Sequence, residues 1–409
     1  MRLVADDAGE SFGWLYEPAG VRPRTVVALA HPRAEFGRHY AIPGLVRAGY
    51  AAFGQNSRYL NNDTEAIHER LLLDVAAGMR WLRDEGFRHV VLAGNSGGGS
   101  LYAMYQAQAT LPPGEREQET PGGSRIDLSG AMPPGDGFIA IAAHPGEGRF
   151  LLNTIDPSVT EEADPLSCDP ALDMFNPENG YDPATGAASY SAAFLERYRA
   201  AQRARVARLD AIARAQIARE REGTETARVL AKSVGATPAS PAQAYARLQA
   251  DRRAVPHRLM VIYRTVANPA YLDLSIDPNE RDLGSIFGLV NARPEFGNYF
   301  SSNIARVLSP RAWLSTWSGL SSRADFLASA RSLTVPALFI PASGDSDILP
   351  SDAGAMWEAI ASPDKTRHDI AGADHYLRPT AHRTAGTDPR EDLIEVMAAW
   401  LEARFARDR

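Results

Sequence analysis

The chain has 409 residues, 44% of them hydrophobic and 23% charged, so it can bury a large core and exceeds a typical domain of about 100–200 residues. Its formal net charge of −7 gives no general attraction to nucleic acid, and no apolar run approaches the roughly 18 residues of a membrane-spanning helix. The early acidic residues argue against a secretory signal and the single cysteine, Cys168, excludes an intrachain disulfide, which together predict a cytoplasmic protein.

The first part of the chain alternates apolar runs with amphipathic segments. Four apolar runs are predicted strands: residues 25–30, 50–54, 89–93 and 138–143. Residues 63–83 place apolar side chains at three- and four-residue steps, which is typical of a helix with one buried face, and residues 101–109 predict a second helix. Strands that alternate with helices predict an α/β fold, with a mostly parallel central sheet covered by helices on both faces.

The alternation stops near residue 146 and resumes near residue 319. Between these points a Pro/Asp/Asn-rich stretch is followed by a long predicted helix at about 190–222. Two strands and two helices are predicted later, at residues 337–340, 365–370, 353–360 and 390–405. The pattern therefore predicts an α/β core formed by residues 1–149 and 319–409, interrupted by a mainly helical lid insertion, residues 150–318.

The predicted helix at 190–222 carries eight arginines opposite an apolar stripe. One interpretation is a lid helix with a solvated basic face, and the alternatives are a homodimer contact or a membrane-surface role. Trp313 and Trp317 lie just before the core resumes. They are interpreted either as a pocket wall under the lid or as hinge packing.

A short glycine-rich motif, Gly94-Asn95-Ser96-Gly97-Gly98, matches Gly-x-Ser-x-Gly. It directly follows a predicted strand and precedes a predicted helix, which is the setting of a nucleophile elbow. Small neighbours let strand and helix approach closely, and the N–H groups that follow the serine can stabilise an oxyanion. A P-loop would need a lysine here, and a dinucleotide fingerprint would need glycine at position 96. Ser96 is therefore the candidate nucleophile, with an inert serine in a glycine-rich turn as the alternative.

With this motif in this setting, the chain resembles the α/β-hydrolase superfamily over about residues 10–145 and 320–409. The resemblance implies an eight-stranded core sheet and a Ser–acid–His triad in that chain order. It also implies a variable lid after the sixth strand, and the insertion of this chain after Ala143 fits that position.

His375 follows Ala371-Gly372-Ala373-Asp374, in the loop between the last predicted strand and the last helix. This Gly-x-x-His pattern is similar to that of the family and predicts the general base, with a surface-loop histidine as the alternative. The resemblance implies a triad acid in the turn after residues 337–340. That turn offers Asp345, which falls where the acid of the family usually lies, and Asp347 as the alternative.

The resemblance also implies that a second oxyanion donor lies in the loop after Thr25–Ala30. Many relatives carry His-Gly there, whereas this chain has His31-Pro32. Proline has no backbone N–H, so the predicted donors are the N–H groups of Arg33 and Gly97. The Arg33 side chain is interpreted either as an anion-binding group or as a solvated charge.

Together these residues predict a carboxylesterase-like serine hydrolase that cleaves a small-molecule ester through an acyl-enzyme, with a bulky substrate selected by the lid. The same triad also serves C–C cleavage of a diketone-type substrate, thioester or amide hydrolysis, and acyl transfer. A catalytically inactive binding protein is a further alternative. No metal and no organic cofactor is expected, because this chemistry needs neither and no residue cluster has metal-ligand spacing.

Overall fold

The structure is a computed structural model that describes residues 1–234, 239–256, 258–287, 289–290, 293–300, 303–384, 386 and 388–405. Its centre is an eight-stranded sheet in the order β1-β2-β4-β3-β5-β6-β7-β8. The strands are β1 Arg2–Val4, β2 Glu10–Tyr16, β3 Thr25–Ala30, β4 Ala51–Asn56, β5 His89–Asn95, β6 Gly137–Ile141, β7 Ala337–Ile340 and β8 Lys365–Arg367. Strands β3 to β8 are parallel, and β2 is antiparallel to both of its neighbours. The predicted mostly parallel sheet is confirmed.

Both faces of this sheet are covered by helices. A short helix, α1 Ile42–Arg47, lies next to β4. The helices of eight or more residues are α2 His68–Asp84, α3 Gly97–Ala109, α4 Glu147–Thr154, α5 Ala192–Val234, α6 Pro241–Ala254, α7 Pro350–Ala359 and α8 Pro389–Arg404. Helices α2, α3 and α7 pack on one face of the sheet, and α1 and α8 pack on the other.

Strand β3 shows why the central strands form. All six of its residues are buried, and its successive side chains point to opposite faces. Val26 and Ala28 join the apolar cluster on one face, whereas Val27 and Leu29 join the cluster on the other. A continuous apolar run is the expected pattern for a strand with helices on both sides.

The chain between β6 and β7 contains α4, α5, α6 and several short elements. The 43 residues of α5 span roughly 64 Å at 1.5 Å per residue, and α5 packs along α6. The short strands pair Met260–Val261 with Val307–Leu308 and Ser285–Ile286 with Leu289–Val290. The short helical turns of this segment are Pro177–Asn179, Pro269–Tyr271, Pro294–Gly297, Pro310–Ala312, Trp313–Trp317, Phe326–Ser329 and Ala330–Ser332. One further turn, Pro113–Glu115, lies between α3 and β6.

This segment has apolar clusters of its own. Trp313 and Trp317 are buried in one of them together with Val206 and Leu209 of α5, and the indole N–H of Trp313 donates to Asp210 at 2.8 Å. The two tryptophans therefore pack the base of the insertion, which favours the hinge interpretation over the pocket-wall interpretation.

The arginine-rich face of α5 is only partly solvated. The Arg205 side chain is completely buried and lies 2.8 Å from Glu162, and Arg208, which is half-exposed, lies 2.6 Å from the same carboxylate. In the described part of the chain, no helix is long and apolar enough to span a bilayer. The cytoplasmic location and the homodimer contact stay predictions.

Candidate active site

Ser96 occupies a strained turn between β5 and α3. Its φ of 54° and ψ of −125° lie in a region that residues other than glycine rarely adopt. The Ser96 N–H donates to the Ile141 carbonyl at 3.1 Å, and the His144 N–H donates to the Ser96 carbonyl at 3.3 Å. Strand β6 and the loop after it therefore hold the turn in place. This is the conformation of a nucleophile elbow.

The glycine two residues after the serine lets this turn pack against the sheet. A side chain at Gly98 would collide with the backbone carbonyl of Ala30, at the end of β3. Helix α3 can therefore start directly above the carboxyl ends of β3 and β5. The hydroxyl of Ser96 lies at the same edge of the sheet as the loops that follow β6, β7 and β8.

The structure brings the three predicted triad residues together. The Nε2 atom of His375 lies 2.9 Å from Oγ of Ser96, and Nδ1 of His375 lies 2.8 Å from Oδ2 of Asp345. His375 is 4% exposed and Asp345 is 1% exposed. Burial alone would lower the pKa of His375, but the charge of Asp345 and its hydrogen bond raise that pKa to about 9. The arrangement can move a proton from Ser96 to His375.

The two candidate acids have different partners. The Oδ2 atom of Asp345 accepts from His375, and its Oδ1 accepts the N–H groups of Asp347 at 2.8 Å and Ile348 at 3.0 Å. The carboxylate of Asp347 instead accepts the hydroxyls of Tyr271 at 3.2 Å and Ser346 at 3.1 Å. Burial and the neighbouring Asp345 raise the pKa of Asp347 to about 6, although His375 opposes the rise. This geometry favours Asp345 as the partner of the histidine.

The two predicted oxyanion donors, the N–H groups of Gly97 and Arg33, have different surroundings. Gly97 opens α3, and the first N–H groups of a helix have no acceptor within the helix. The N–H of Arg33, however, donates to Nδ1 of His31 at 3.2 Å, and the N–H of Ala34 donates to the same atom at 3.0 Å. The predicted donor Arg33 is thus already engaged, because the loop after β3 turns back on its own histidine.

The ring of His31 lines the same cavity as Ser96 and lies beside Gly97. Because Nδ1 of His31 accepts two N–H groups, its neutral ring carries the proton on Nε2. Burial lowers the pKa of His31 to about 3, which keeps the ring neutral. A Cβ atom at Gly97 would lie only 3.1 Å from Nε2 of His31. Sequence reasoning missed this residue, although its position directly after β3 at the carboxyl edge of the sheet was a signal.

A cavity of about 280 Å³ opens beside Ser96. Its core-derived walls include His31, Arg33, His144, Glu147 and His375. The remaining lining residues are Ala34, Phe36, Asn95, Ser96, Phe150, Phe287, Ile304, Asp347 and Tyr376. The insertion supplies Phe150, Phe287 and Ile304, so one apolar wall of the cavity belongs to it.

His144 and Glu147 form a second polar group in the cavity that sequence reasoning also missed. They follow β6 as His31 follows β3, and Oε2 of Glu147 lies 3.4 Å from Nε2 of His144. Burial raises the pKa of Glu147, but His144 and Arg33 lower it well below its usual range. Glu147 is therefore a buried anion next to the candidate nucleophile.

Among the described residues, one group offers three metal-ligand atoms within 4.8 Å of one another: Asp345, Asp347 and His375. The Nδ1 atom of His375 and one carboxylate oxygen of Asp345 already bond to each other. A metal ion at this position would compete with that hydrogen bond and with the orientation of His375 toward Ser96. The donor set therefore fits proton transfer better than metal binding.

No family model and no curated protein matches the sequence. Similar solved structures include the esterase domain of a Rhodothermus marinus protein, at 11% identity over 98% of this chain and 97% of that chain, with a TM-score of 0.44. The α/β hydrolase GrgF from Penicillium sp. sh18 is 11% identical over 99% and 98% of the two chains, with a TM-score of 0.49. Both likenesses concern the fold. The strand order identifies the fold, because β2 is antiparallel to its neighbours and the insertion follows β6. The chain has the α/β-hydrolase fold.

Proposed function

We propose that this α/β-hydrolase-fold protein is a serine hydrolase that cleaves a carboxylic ester through an acyl-enzyme. The observation that carries the proposal is the continuous chain of hydrogen bonds from Asp345 through His375 to Ser96, at 2.8 and 2.9 Å. It ends at a serine on a strained turn beside a cavity. A structural serine would need neither the strain nor the buried base.

The chemistry follows from the atoms in contact. Nε2 of His375 accepts the hydroxyl proton as Oγ of Ser96 attacks the ester carbonyl, and the protonated ring then gives that proton to the leaving alcohol. Water next attacks the acyl-enzyme with His375 again as the base, which releases the acid and restores Ser96. Asp345 keeps the proton of the neutral ring on Nδ1 and stabilises the imidazolium that forms.

The oxyanion needs preorganised donors near Ser96. The N–H of Gly97 is the first donor in this proposal. The second is the Nε2–H of His31, since that ring is neutral, fixed by two backbone N–H groups and close to Gly97. The N–H of Arg33, which the sequence predicts, can serve only if it leaves its acceptor on His31.

The insertion shapes the substrate site. Phe150, Phe287 and Ile304 give the cavity an apolar wall. The cavity volume of about 280 Å³ is just below the usual range of ligand sites, about 300–1,000 Å³. The part of the substrate that binds beside Ser96 is therefore compact. The bulky substrate of the sequence analysis stays a prediction for the parts that lie outside this cavity.

Covalent labelling with a fluorophosphonate tests the proposal. Wild-type protein and Ser129→Ala, which changes an exposed serine far along the chain from the motif, should both be labelled and should both hydrolyse a short p-nitrophenyl ester. Ser96→Ala should lose labelling and turnover while its circular dichroism spectrum stays unchanged. Esterase activity that survives in Ser96→Ala would contradict the assignment, and an unlabelled wild-type protein would favour the inactive binding protein.

A further inference from the structure

The cavity beside Ser96 contains a buried carboxylate that ester hydrolysis does not use. Glu147 is the first residue of α4 and is 3% exposed. Its Oε2 lies 3.4 Å from His144, whereas its Oε1 has no hydrogen-bond partner among the described residues. A buried charged oxygen without a partner is costly. Because Glu147 also lines the cavity, this oxygen points to a donor group supplied by a ligand.

Gly97 locates this oxygen relative to the reaction. A Cβ atom at Gly97 would lie 2.5 Å from Oε1 of Glu147 and 3.1 Å from Nε2 of both His144 and His31. The unpartnered oxygen thus faces the residue whose N–H is the proposed first oxyanion donor. An ester carbonyl bound at Gly97 would bring the carbon next to it, and the substituent on that carbon, toward Glu147.

The histidines around Glu147 do not neutralise it. Burial lowers the pKa of His31 to about 3 and the pKa of His68 to about 4, so both rings are neutral. Nδ1 of His144 accepts the Gly146 N–H at 3.1 Å, so the ring N–H of His144 is on Nε2, toward Glu147. The carboxylate keeps its full negative charge.

The charges along the cavity also favour a positive ligand group. Arg33 is the one arginine or lysine among the described residues that line the cavity, and its Nε lies 3.3 Å from Asp63. Glu147 and Asp347 line the same cavity, and Asp345 offsets the charge of the protonated His375. A protonated amine beside Glu147 would be attracted by the charge of that carboxylate.

We infer that Glu147 binds a protonated amine on the acyl part of the substrate, carried by the carbon next to the scissile carbonyl or by the following carbon. The substrate class is then an aminoacyl ester or a related aminoacyl derivative. The inference rests on the proposed function, because it takes the carbonyl to bind between Ser96 and Gly97. The compact cavity suits a small aminoacyl group.

Three p-nitrophenyl esters of nearly equal size test this inference: propionyl, 2-hydroxypropionyl and L-alanyl. Rates are measured at about pH 6.5, where an α-ammonium group with a pKa near 7.7 is mostly protonated, and each is divided by its spontaneous hydrolysis rate. The wild-type protein should favour alanyl over propionyl by at least about tenfold in kcat/KM, with 2-hydroxypropionyl between them, because charged hydrogen bonds are the stronger ones.

Two variants separate binding by Glu147 from a general effect of charge. Glu147→Gln keeps the shape and removes the charge, so the ratio of alanyl to propionyl kcat/KM should fall about tenfold. Asp352→Asn is the matched control. Asp352 is a carboxylate of a neighbouring cavity of about 230 Å³ and does not line the Ser96 cavity, so this variant should keep the wild-type preference.

The outcomes are distinguishable. Equal normalised rates for the three esters in wild-type protein would overturn the inference while still supporting the hydrolase, and that comparison does not depend on any variant folding. An alanyl preference that persists in Glu147→Gln would also overturn it, as would an equal loss on all three esters in folded Glu147→Gln. No turnover of any ester, together with no fluorophosphonate labelling, would contradict the proposed function itself.

Discussion

The central sheet and the insertion are stabilised in different ways. In the sheet, strands such as β3 bury apolar side chains on both faces, and the polar groups gather at one edge. The insertion buries charges as well. Arg205 donates to Glu162 and to the carbonyls of Asp156 and Tyr263. Arg281 donates to four backbone carbonyls, those of Ala270, Asp273, Ile276 and Asp277.

The two regions meet at the triad. Asn279 of the insertion donates to the Asp345 carbonyl at 2.7 Å. The Glu280 carboxylate accepts the Gly372 N–H at 2.8 Å and the Ser343 hydroxyl, so it links the loop that carries the acid to the loop that carries His375. The insertion contributes none of the proposed triad residues, but it bonds to the two loops that carry Asp345 and His375. The difference suggests that chemistry resides in the core and that the insertion adjusts its geometry and its selectivity.

The largest expected effect tests the core. Asp345→Asn should lower kcat by about 10⁴, because the histidine loses the partner that fixes its tautomer, as in serine proteases. Asp347→Asn should cost at most about tenfold, since Asp347 bonds to Tyr271 and Ser346 rather than to the ring. Steady-state kinetics on an activated ester, with circular dichroism as the folding control, measure both. If Asp347→Asn lowers kcat more than Asp345→Asn does, the roles of the two acids are exchanged.

The pH dependence tests the same pair without a structural change. Only neutral His375 accepts the Ser96 proton, and its pKa is raised to about 9, so kcat/KM should rise with pH and level off above that value. The neutral fraction falls about tenfold per unit below the pKa, which predicts a roughly hundredfold rise from pH 7 to the plateau. Asp345→Asn should move the midpoint down toward about 6.5. A pH profile of wild-type kcat/KM that is already flat at pH 7 would contradict the proposed effect of Asp345 on His375.

Sequence reasoning predicted the strands that are buried along their whole length. It failed for a strand whose hydrophobic side chains face solvent. The bounds of β3 and β7 were predicted because all of their residues are buried and all but Thr25 are apolar. Strand β2 was missed because it exposes Phe12 and Trp14 and buries Ser11 and Gly13, so its hydrophobic face is on the solvent side. Its pairing with β1 and β4 explains that strand.

The insertion shows the other limit of sequence reasoning. The predicted helix ends at residue 222, but α5 continues to Val234 through Gly223. A side chain at Gly223 would collide with the Arg253 carbonyl of α6, so this glycine is a packing position that depends on a partner distant in the chain. In the site, the motif and the chain order predicted Ser96 and His375. The roles of His31 and Glu147 arise only when the ends of β3 and β6 come together.

A smaller effect tests whether the insertion positions the core. Glu280→Gln weakens the link between the acid and histidine loops, so kcat should fall roughly tenfold with little change in KM, because charged hydrogen bonds contribute about 1.5–3 kcal/mol. Glu178→Gln changes an exposed glutamate of the insertion and should leave kcat unchanged. A purely structural role would lower the melting temperature without altering the pH midpoint of His375, whereas a positioning role shifts that midpoint. Unchanged kcat and an unchanged pH midpoint in Glu280→Gln would contradict the positioning role of Glu280.

The smallest effect separates selectivity from stability within the insertion. Phe287 lines the cavity and packs against Phe150 with ring centroids 5.6 Å apart, so Phe287→Leu should change the ratio of kcat/KM between two- and four-carbon acyl esters about threefold to tenfold. Trp313 is fully buried, does not line the cavity, and donates to Asp210. Trp313→Phe should therefore lower the free energy of unfolding by about 1–3 kcal/mol, through the lost hydrogen bond to Asp210, and keep the acyl ratio. Urea denaturation and the two ester assays, performed on both variants, measure the two quantities. If Trp313→Phe shifts the acyl ratio as much as Phe287→Leu does, packing around Trp313 also affects the shape of the cavity. Selectivity would then not depend on the apolar wall alone.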